Sequence, residues 1–329
     1  MQDRHWQFFA KFVQPFRTRK YREVQKSFGA LNPDLIFFVI RRRPPAWGFF
    51  SNVNYVLQGI LYAEKNGYVP IVDMENYWVA ELSSRNKING TYNAWCYLFN
   101  QISIYSLDEV YKSKNVILSK GSNILDFDHW FSNRQIYFMT EPDKLRIISK
   151  LLKKYIRFNA STLNNISKIK KEVAWEGKRT LGIFIRGTGF ISYQGAQMPV
   201  ASLDFIILSV RKMIQEGSID RLFISTEDYR IYSALRESFT EETIIPSIRH
   251  PKNMTIEKWI TSQKQTYDHG ILMGYEATLK YLLEIILLSE CSSFIGTLSN
   301  ASAFALALND NKYEDSRVIV KNEVINLRK

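Results

Sequence analysis

Two cysteines, nine prolines and four histidines are all that this 329-residue chain holds of the residues that staple, break or ligate a fold. Cys96 and Cys291 are too few for a disulfide framework, and both sit among apolar neighbours. Buried thiols in a reducing compartment are the expectation. The four histidines are scattered and form no zinc set with the cysteines. No GxxxxGKS/T stretch occurs, which disfavours a P-loop nucleotidase or sulfotransferase, and no GxSxG elbow occurs either. Long hydrophobic runs are also missing. Residues 1–10 mix Asp3, Arg4 and His5 with aromatics, unlike a secretory leader. The greasiest tract, Leu279 to Leu308, is broken by Lys280, Glu284 and Glu290, unlike a membrane span. A soluble, cytoplasmic protein is expected.

What is present is a globular composition, 46% hydrophobic and 23% charged, in a chain long enough for two domains. The net charge is +12, and residues 1–43 hold ten Lys or Arg against three Asp or Glu. Trp6, Phe8, Phe9, Phe12, Val13, Phe16 and Tyr21 lie between those charges. Cations interleaved with aromatics suit an anionic membrane surface. They would also suit nucleic acid, but no nucleic-acid module accompanies them, so that partner is not expected. A helix that packs its aromatic face on the body and leaves its charges in water explains the pattern equally well.

Short apolar runs alternate with longer periodic segments, the rhythm of α/β architecture. LIFFVI (Leu35–Ile40), VPIVDM (Val69–Met74) and NVILS (Asn115–Ser119) read as strands of a first domain. Between the first two, Val53, Val56, Leu57, Ile60 and Leu61 recur at helical spacing, with Ser51 as a cap and Gly67 as a stop. Glu141–Val173 is Lys-rich and helical. TLGIFIR, RLFIST, TIIPS and SSFIGT then read as strands of a second domain, interspersed with helices over Ser202–Gly217, Tyr229–Phe239, Glu276–Glu290 and Asn300–Leu308. RVIVKNEVIN is a last edge strand or hairpin. The predicted division is a basic aromatic helical segment over 1–29, one α/β domain over 30–175 and another over 176–329, with a cleft between the domains.

In open parallel sheets ligands bind beyond the carboxyl ends of the strands, and phosphates sit at helix N-termini. Three predicted strands end in polar clusters: LGIFIRGTGF at Arg186, FISTEDYR at Thr226–Asp228, and FIGTLSNAS at Thr297–Ser302. Alone, each is an ordinary turn or cap. Together, an arginine fork and a capped helix start make a diphosphate site.

These three segments, in this order and spacing, resemble the conserved regions of a fucosyltransferase superfamily that includes the α1,6-fucosyltransferases, the Nod-factor enzymes and the protein O-fucosyltransferases. The resemblance covers about 40% of the chain, Thr180 to Asn309. The stretch GFFSNVNYVLQGILYAEKNGYVPIVD more weakly resembles the family's first glycine-containing loop and helix. It implies an α/β GT-B fold, two Rossmann-like domains facing each other across a cleft. It also implies an inverting transfer from GDP-fucose that needs no metal and no cofactor besides the donor.

Carried over by position, Arg186 would hold the donor diphosphate, Glu284 would read guanine, and Thr297, Ser299 and Asn300 would form the diphosphate turn. Asp228 would contact the nucleoside or cap a helix, and Gly48 would let the backbone approach the ligands. His269 is a further polar candidate. Asp73 and Glu75 are candidates for acceptor binding or general-base work, or are simple caps. The family's histidine, second arginine and acid are replaced by Phe184, Gly187 and Gly189, which leaves GDP-mannose, a GDP-heptose or a non-catalytic relative as alternatives. DFDHW (Asp126–Trp130) carries the DxD triplet of a metal-dependent glycosyltransferase architecture, a rival reading. The expected acceptor is a glycan or lipid-linked glycan, handled at the inner face of a bacterial plasma membrane during surface-polysaccharide synthesis.

Overall fold

A computed structural model describes residues 23–42, 48–77, 79, 86–121, 139–187, 201–268, 274–310 and 312–327. Most of the basic aromatic segment, DFDHW, Gly189 and His269 lie outside these residues. The chain divides into two compact units, Met1–Ser132 and Asn133–Lys329.

In the first unit four strands, β1 (Val24–Lys26), β2 (Leu31–Ile40), β3 (Val69–Val72) and β4 (Ser113–Leu118), form a sheet in the order β1-β4-β2-β3. β2 runs parallel to β3 and β4, and β1 is an antiparallel edge. The two-residue period of a strand sorts the apolar residues of β2 onto both faces. Phe37 and Val39 pack with Ile71, Val116 and Leu118 beside α2 (Leu107–Val110). Phe38 and Ile40 face α1 (Phe49–Lys65), where Phe38 meets the Tyr62 ring and Ile40 lies against Gly59. α1 starts three residues earlier than its periodicity suggests. Gly48 is its N-cap, so Ser51 lies inside the first turn, and Gly67 follows the C-cap at φ +69°.

The second unit contains α3 (Pro142–Tyr155), α4 (Ala160–Glu172), β5 (Thr180–Ile185), α5 (Leu203–Glu216), β6 (Arg221–Thr226), α6 (Tyr229–Ser238), α7 (Ile256–Asp268), α8 (Tyr275–Ser289), β7 (Ser293–Thr297), α9 (Asn300–Asn309) and the β8–β9 hairpin (Asp315–Val320, Glu323–Asn326). The sheet order is β6-β5-β7-β8-β9, parallel except for β9. β5 and β6 are buried along their whole length, as helices on both faces require. Leu181, Ile183 and Ile185 pack under α5 and α6, while Gly182 lies under Leu288 of α8 and the neighbouring Cys291. The TIIPS segment makes only a single parallel bridge, Leu222 to Ile244, in place of a strand.

The division falls after Ser132, not at 175. α3 buries Ile148, Leu151 and Leu152 and packs on α9. It is pinned there by Ser149, which donates to Asp310 at 2.6 Å, and by the Lys153–Asp310 ion pair. α4 packs on α8 and is fastened by the Lys170–Glu290 pair at 2.6 Å. Arg221, buried in β6, closes the end of α4 by donating to the carbonyls of Val173, Ala174 and Trp175. Both helices therefore belong to the second unit. No helix among the described residues is long and apolar enough to cross a membrane.

Gly182 sits mid-strand, where β-propensity alone would favour valine by up to about 1 kcal/mol. A Cβ there would lie 2.9 Å from both Cys291 Sγ and Leu288 Cδ2, inside a filled core. Overpacking of that kind costs about 1–3 kcal/mol and wins. Gly182→Val should lower the urea midpoint of the second unit's transition; an unchanged or raised midpoint would show that α8 can move away.

Candidate active site

The order β6-β5-β7 puts the topological switch point of the second unit between β5 and β7, because the chain leaves β5 toward β6 on one side and returns to β7 on the other. Arg186, Thr226–Asp228 and Thr297–Asn300 follow the carboxyl ends of three adjacent strands. Hydrogen bonds lock these ends together. The Arg186 N–H donates to Thr297 Oγ1 at 2.9 Å, across the switch point. On the other side the Gly187 N–H donates to Glu227 Oε1 at 3.0 Å, and Arg186 Nε stands 3.3 Å from the same oxygen. The Arg186 side chain, 36% exposed, is thus positioned by backbone on one flank and a carboxylate on the other. Glu227 Oε2 is buried without a partner among the described residues, an acceptor for a ligand hydroxyl or an ordered water.

Thr297–Ser302 is a built turn. Ser299 is the N-cap of α9 and accepts from the Ser302 N–H at 3.0 Å, while the Ser302 hydroxyl returns to the Thr297 carbonyl at 2.7 Å. Asn300 opens the helix, half-buried. The helix start directs its positive dipole end beyond the sheet, beside Arg186.

Glu284 and Asp228 are placed here too, both fully buried, with their oxygens in use. Asp228 caps α6 through the Arg230 N–H at 3.0 Å and pairs with the Arg230 guanidinium at 2.5 Å. Glu284 accepts from five donors. Oε1 takes the N–H groups of Ile248 and Arg249 and the Ser247 hydroxyl; Oε2 takes Ser225 Oγ at 2.8 Å and Arg249 Nε at 2.5 Å. A guanine edge could reach this carboxylate only by displacing one of them. The Arg249 guanidinium lies 4.6 Å from the centre of the Tyr281 ring. Burial raises the Tyr281 phenol pKa, against the lowering pull of the two arginines.

Gly187 and Phe184 have structural reasons. Phe184 is fully buried in the sheet. A Cβ on Gly187 would stand 2.6 Å from Asp228 Cβ and 3.0 Å from Ile231 Cδ1, so an arginine would not fit without moving the start of α6.

The remaining candidates belong to the first unit. Asp73, at the end of β3, is buried and builds a turn by accepting from the Glu75 and Asn76 N–H groups at 3.1 and 2.8 Å. It also accepts from the Tyr111 hydroxyl at 2.5 Å; burial and then the Asp73 charge raise the pKa of that phenol strongly. Glu75 is exposed on the same turn. Gly48 has φ −45°, open to any residue, so its backbone does not demand glycine. Arg41 and Arg42, buried after β2 and stacked on Tyr77 and Tyr55, were not singled out by sequence reasoning. Nor were Arg249, Tyr281 and Ser225. Ser225, Arg41 and Arg42 had only a position near strand ends as a signal, and Tyr281 and Arg249 had none.

No protein-family model and no curated protein sequence matches the chain. Solved structures do. Fucosyltransferase NodZ from Bradyrhizobium superposes with a TM-score of 0.50 at 14% identity, over 88% of this chain and 97% of that one. The chain shares the GT-B fold of that protein. A mutant of Arabidopsis thaliana FUT1 in complex with GDP gives 0.48 at 11% identity, over 90% and 73% of the two chains. POFUT1 in complex with GDP-fucose gives 0.42 at 10%, over 85% and 95%.

His250 supplies a pH test of the site's frame. Its ring sits between Tyr229 and Tyr232, with Nε2 2.9 Å from the Thr226 carbonyl. Burial pushes its pKa below the ordinary value of about 6.5, and the Thr226 carbonyl only partly offsets this. Below that value the unfolded chain binds the proton more readily, so stability falls on acidification. His250→Gln should flatten the loss of second-unit stability between pH 7 and 5; identical slopes for both proteins would refute the assignment.

Proposed function

We propose that the chain is a glycosyltransferase that moves a sugar, fucose in the first instance, from a GDP donor to a glycan or lipid-linked glycan acceptor. The observation that carries the reading is the Arg186 to Thr297 lock, which sets a guanidinium beside the start of α9 at the switch point. Both groups favour a diphosphate, one by a fixed fork of charged donors and the other by its oriented backbone. The shared NodZ fold and the three sequence segments support the same reading.

In the proposed reaction the acceptor hydroxyl oxygen bonds to the anomeric carbon as the bond from that carbon to the diphosphate oxygen breaks, in line and with inversion. The electron pair of the broken bond goes to GDP, where Arg186 and the α9 start stabilise the developing charge. The hydroxyl proton passes to a base. Asp73 and Glu75 are the proposed candidates, Glu75 the more available because Asp73 already accepts three backbone or phenolic donors. The Arg186–Glu227 pair is half open to solvent and would add little stability, so Glu227 serves to aim the guanidinium. The basic residues 1–43 would keep the enzyme at an anionic membrane where lipid-linked acceptors are assembled.

The test is thermal unfolding with GDP, UDP, CMP and ADP, each in EDTA or with manganese. At one hundred times its dissociation constant a ligand adds about 2.7 kcal/mol, a shift of several degrees. Selective stabilisation by GDP in EDTA, lost in Arg186→Ala, is expected. Stabilisation by UDP only with manganese would favour the DxD architecture. Sugar transfer from GDP-fucose rather than GDP-mannose would then fix the donor, and tight GDP binding without any transfer would identify a non-catalytic relative.

A further inference from the structure

Glu284 occupies the position expected to read guanine, yet its two oxygens are filled by five donors from Ser225 and the Ser247–Arg249 turn. Arg249 is the member of this group with N–H donors still unused among the described residues. Its Nε–H goes to Glu284 Oε2 and one Nη2–H goes to Ser225 Oγ at 3.0 Å, so both bonds leave from the same side of the guanidinium. A guanidinium has five N–H groups in a rigid plane. Three therefore stay without a partner among the described residues, and two of them, one on each terminal nitrogen, form a parallel fork at the end of the side chain.

The position of that fork is set firmly. Arg249 is 11% exposed, lies over the Tyr281 ring and is tied to a buried carboxylate. The Arg186 charge also acts on the Tyr281 phenol. The Tyr281 phenol thus feels both the arginine at the switch point and the arginine beyond the end of β6, and in this reading a nucleotide held by its diphosphate at Arg186 extends its base toward Arg249. A fork of two N–H donors matches the two acceptors on the Hoogsteen edge of guanine, O6 and N7, in the commonest specific contact between arginine and a base. A carboxylate would instead read the N1–H and 2-amino donors of the opposite edge. Resting on the GDP-sugar reading above, we propose that Arg249, held by Glu284, is the specificity-determining residue for the base and recognises guanine through O6 and N7.

The two edges are separable with three nucleotides: GDP, inosine diphosphate, which lacks the 2-amino group, and 7-deaza-GDP, which lacks the N7 acceptor. Calorimetric titration of the wild-type protein should give equal affinity for GDP and inosine diphosphate, with 7-deaza-GDP weaker by about tenfold. Arg249→Lys keeps a cation beside Glu284 but removes the fork, and should bind GDP and 7-deaza-GDP equally. Weakened inosine diphosphate with unaffected 7-deaza-GDP would overturn the inference and restore Glu284 as the reader, leaving the GDP-sugar function in place. Equal binding of all three would also overturn it. Binding of none would remove the GDP reading itself. The wild-type panel decides the matter even if the lysine variant does not fold.

Discussion

The second unit depends on one constraint: the carboxyl ends of three parallel strands are tied to each other, not merely aligned. The backbone of Arg186–Gly187 donates leftward to Glu227 and rightward to Thr297, so β5 is held at both flanks where the helix crossovers diverge. Parallel strands alone would leave these N–H groups beyond the last ladder bond, pointing at whatever water or loop lay there. Satisfying them with neighbouring strand ends fixes the backbone of Arg186. Its side chain meets the Glu227 carboxylate on the β6 flank, and 36% of it stays exposed beyond the strand ends.

Asp228 shows how the same lock excludes an alternative. Its carboxylate caps α6 and holds Arg230, and its Cβ fills the space that a side chain at 187 would need. An arginine at that position and this tight β6–α6 junction are mutually exclusive. The second guanidinium of the face comes instead from Arg249, some sixty residues further along the chain, and it arrives through the turn that Glu284 organises. That guanidinium puts positive charge beyond the end of β6, where it meets Ser225 and Glu284.

Much of this was legible in the sequence because buried parallel strands must be apolar runs, and β5, β6 and β7 are. The hairpin at the end and the capped start of α9 were legible for similarly local reasons. What failed was nonlocal. β2 begins four residues before its apolar run, because Asn32 at φ +48° and a register shift let the irregular Leu31–Asp34 stretch keep its pairing with β4 at Ser113. The amphipathic character of α3 and α4 was plain, but the identity of the surface they cover was not, since their anchors, Asp310 and Glu290, lie more than a hundred residues away. TIIPS has the composition of a strand and gains only one bridge, because the Pro246 ring and the Ser247–His250 turn end the pairing there. Glu284 was read as a site acid on position alone; its five donors come from Ser225 and the 247–249 turn, and no local pattern announces them.

A buried carboxylate with an arginine is a poor source of stability, since the cost of desolvating two charges about equals their attraction. The Glu284–Arg249 pair is therefore better understood by what it orients. Three of the five bonds to Glu284 come from the Ser247 hydroxyl and the Ile248 and Arg249 backbone N–H groups, so the carboxylate acts as the template on which Ser247–Arg249 folds. The fourth and fifth fix the plane of the guanidinium against Ser225 and Tyr281. A long, flexible side chain ordinarily loses rotamer freedom when it meets a ligand, at a cost of about 0.5–1.5 kcal/mol. Here that loss has already occurred on folding. The carboxylate that the sequence resemblance casts as a reader is, in our proposal, the mount for one.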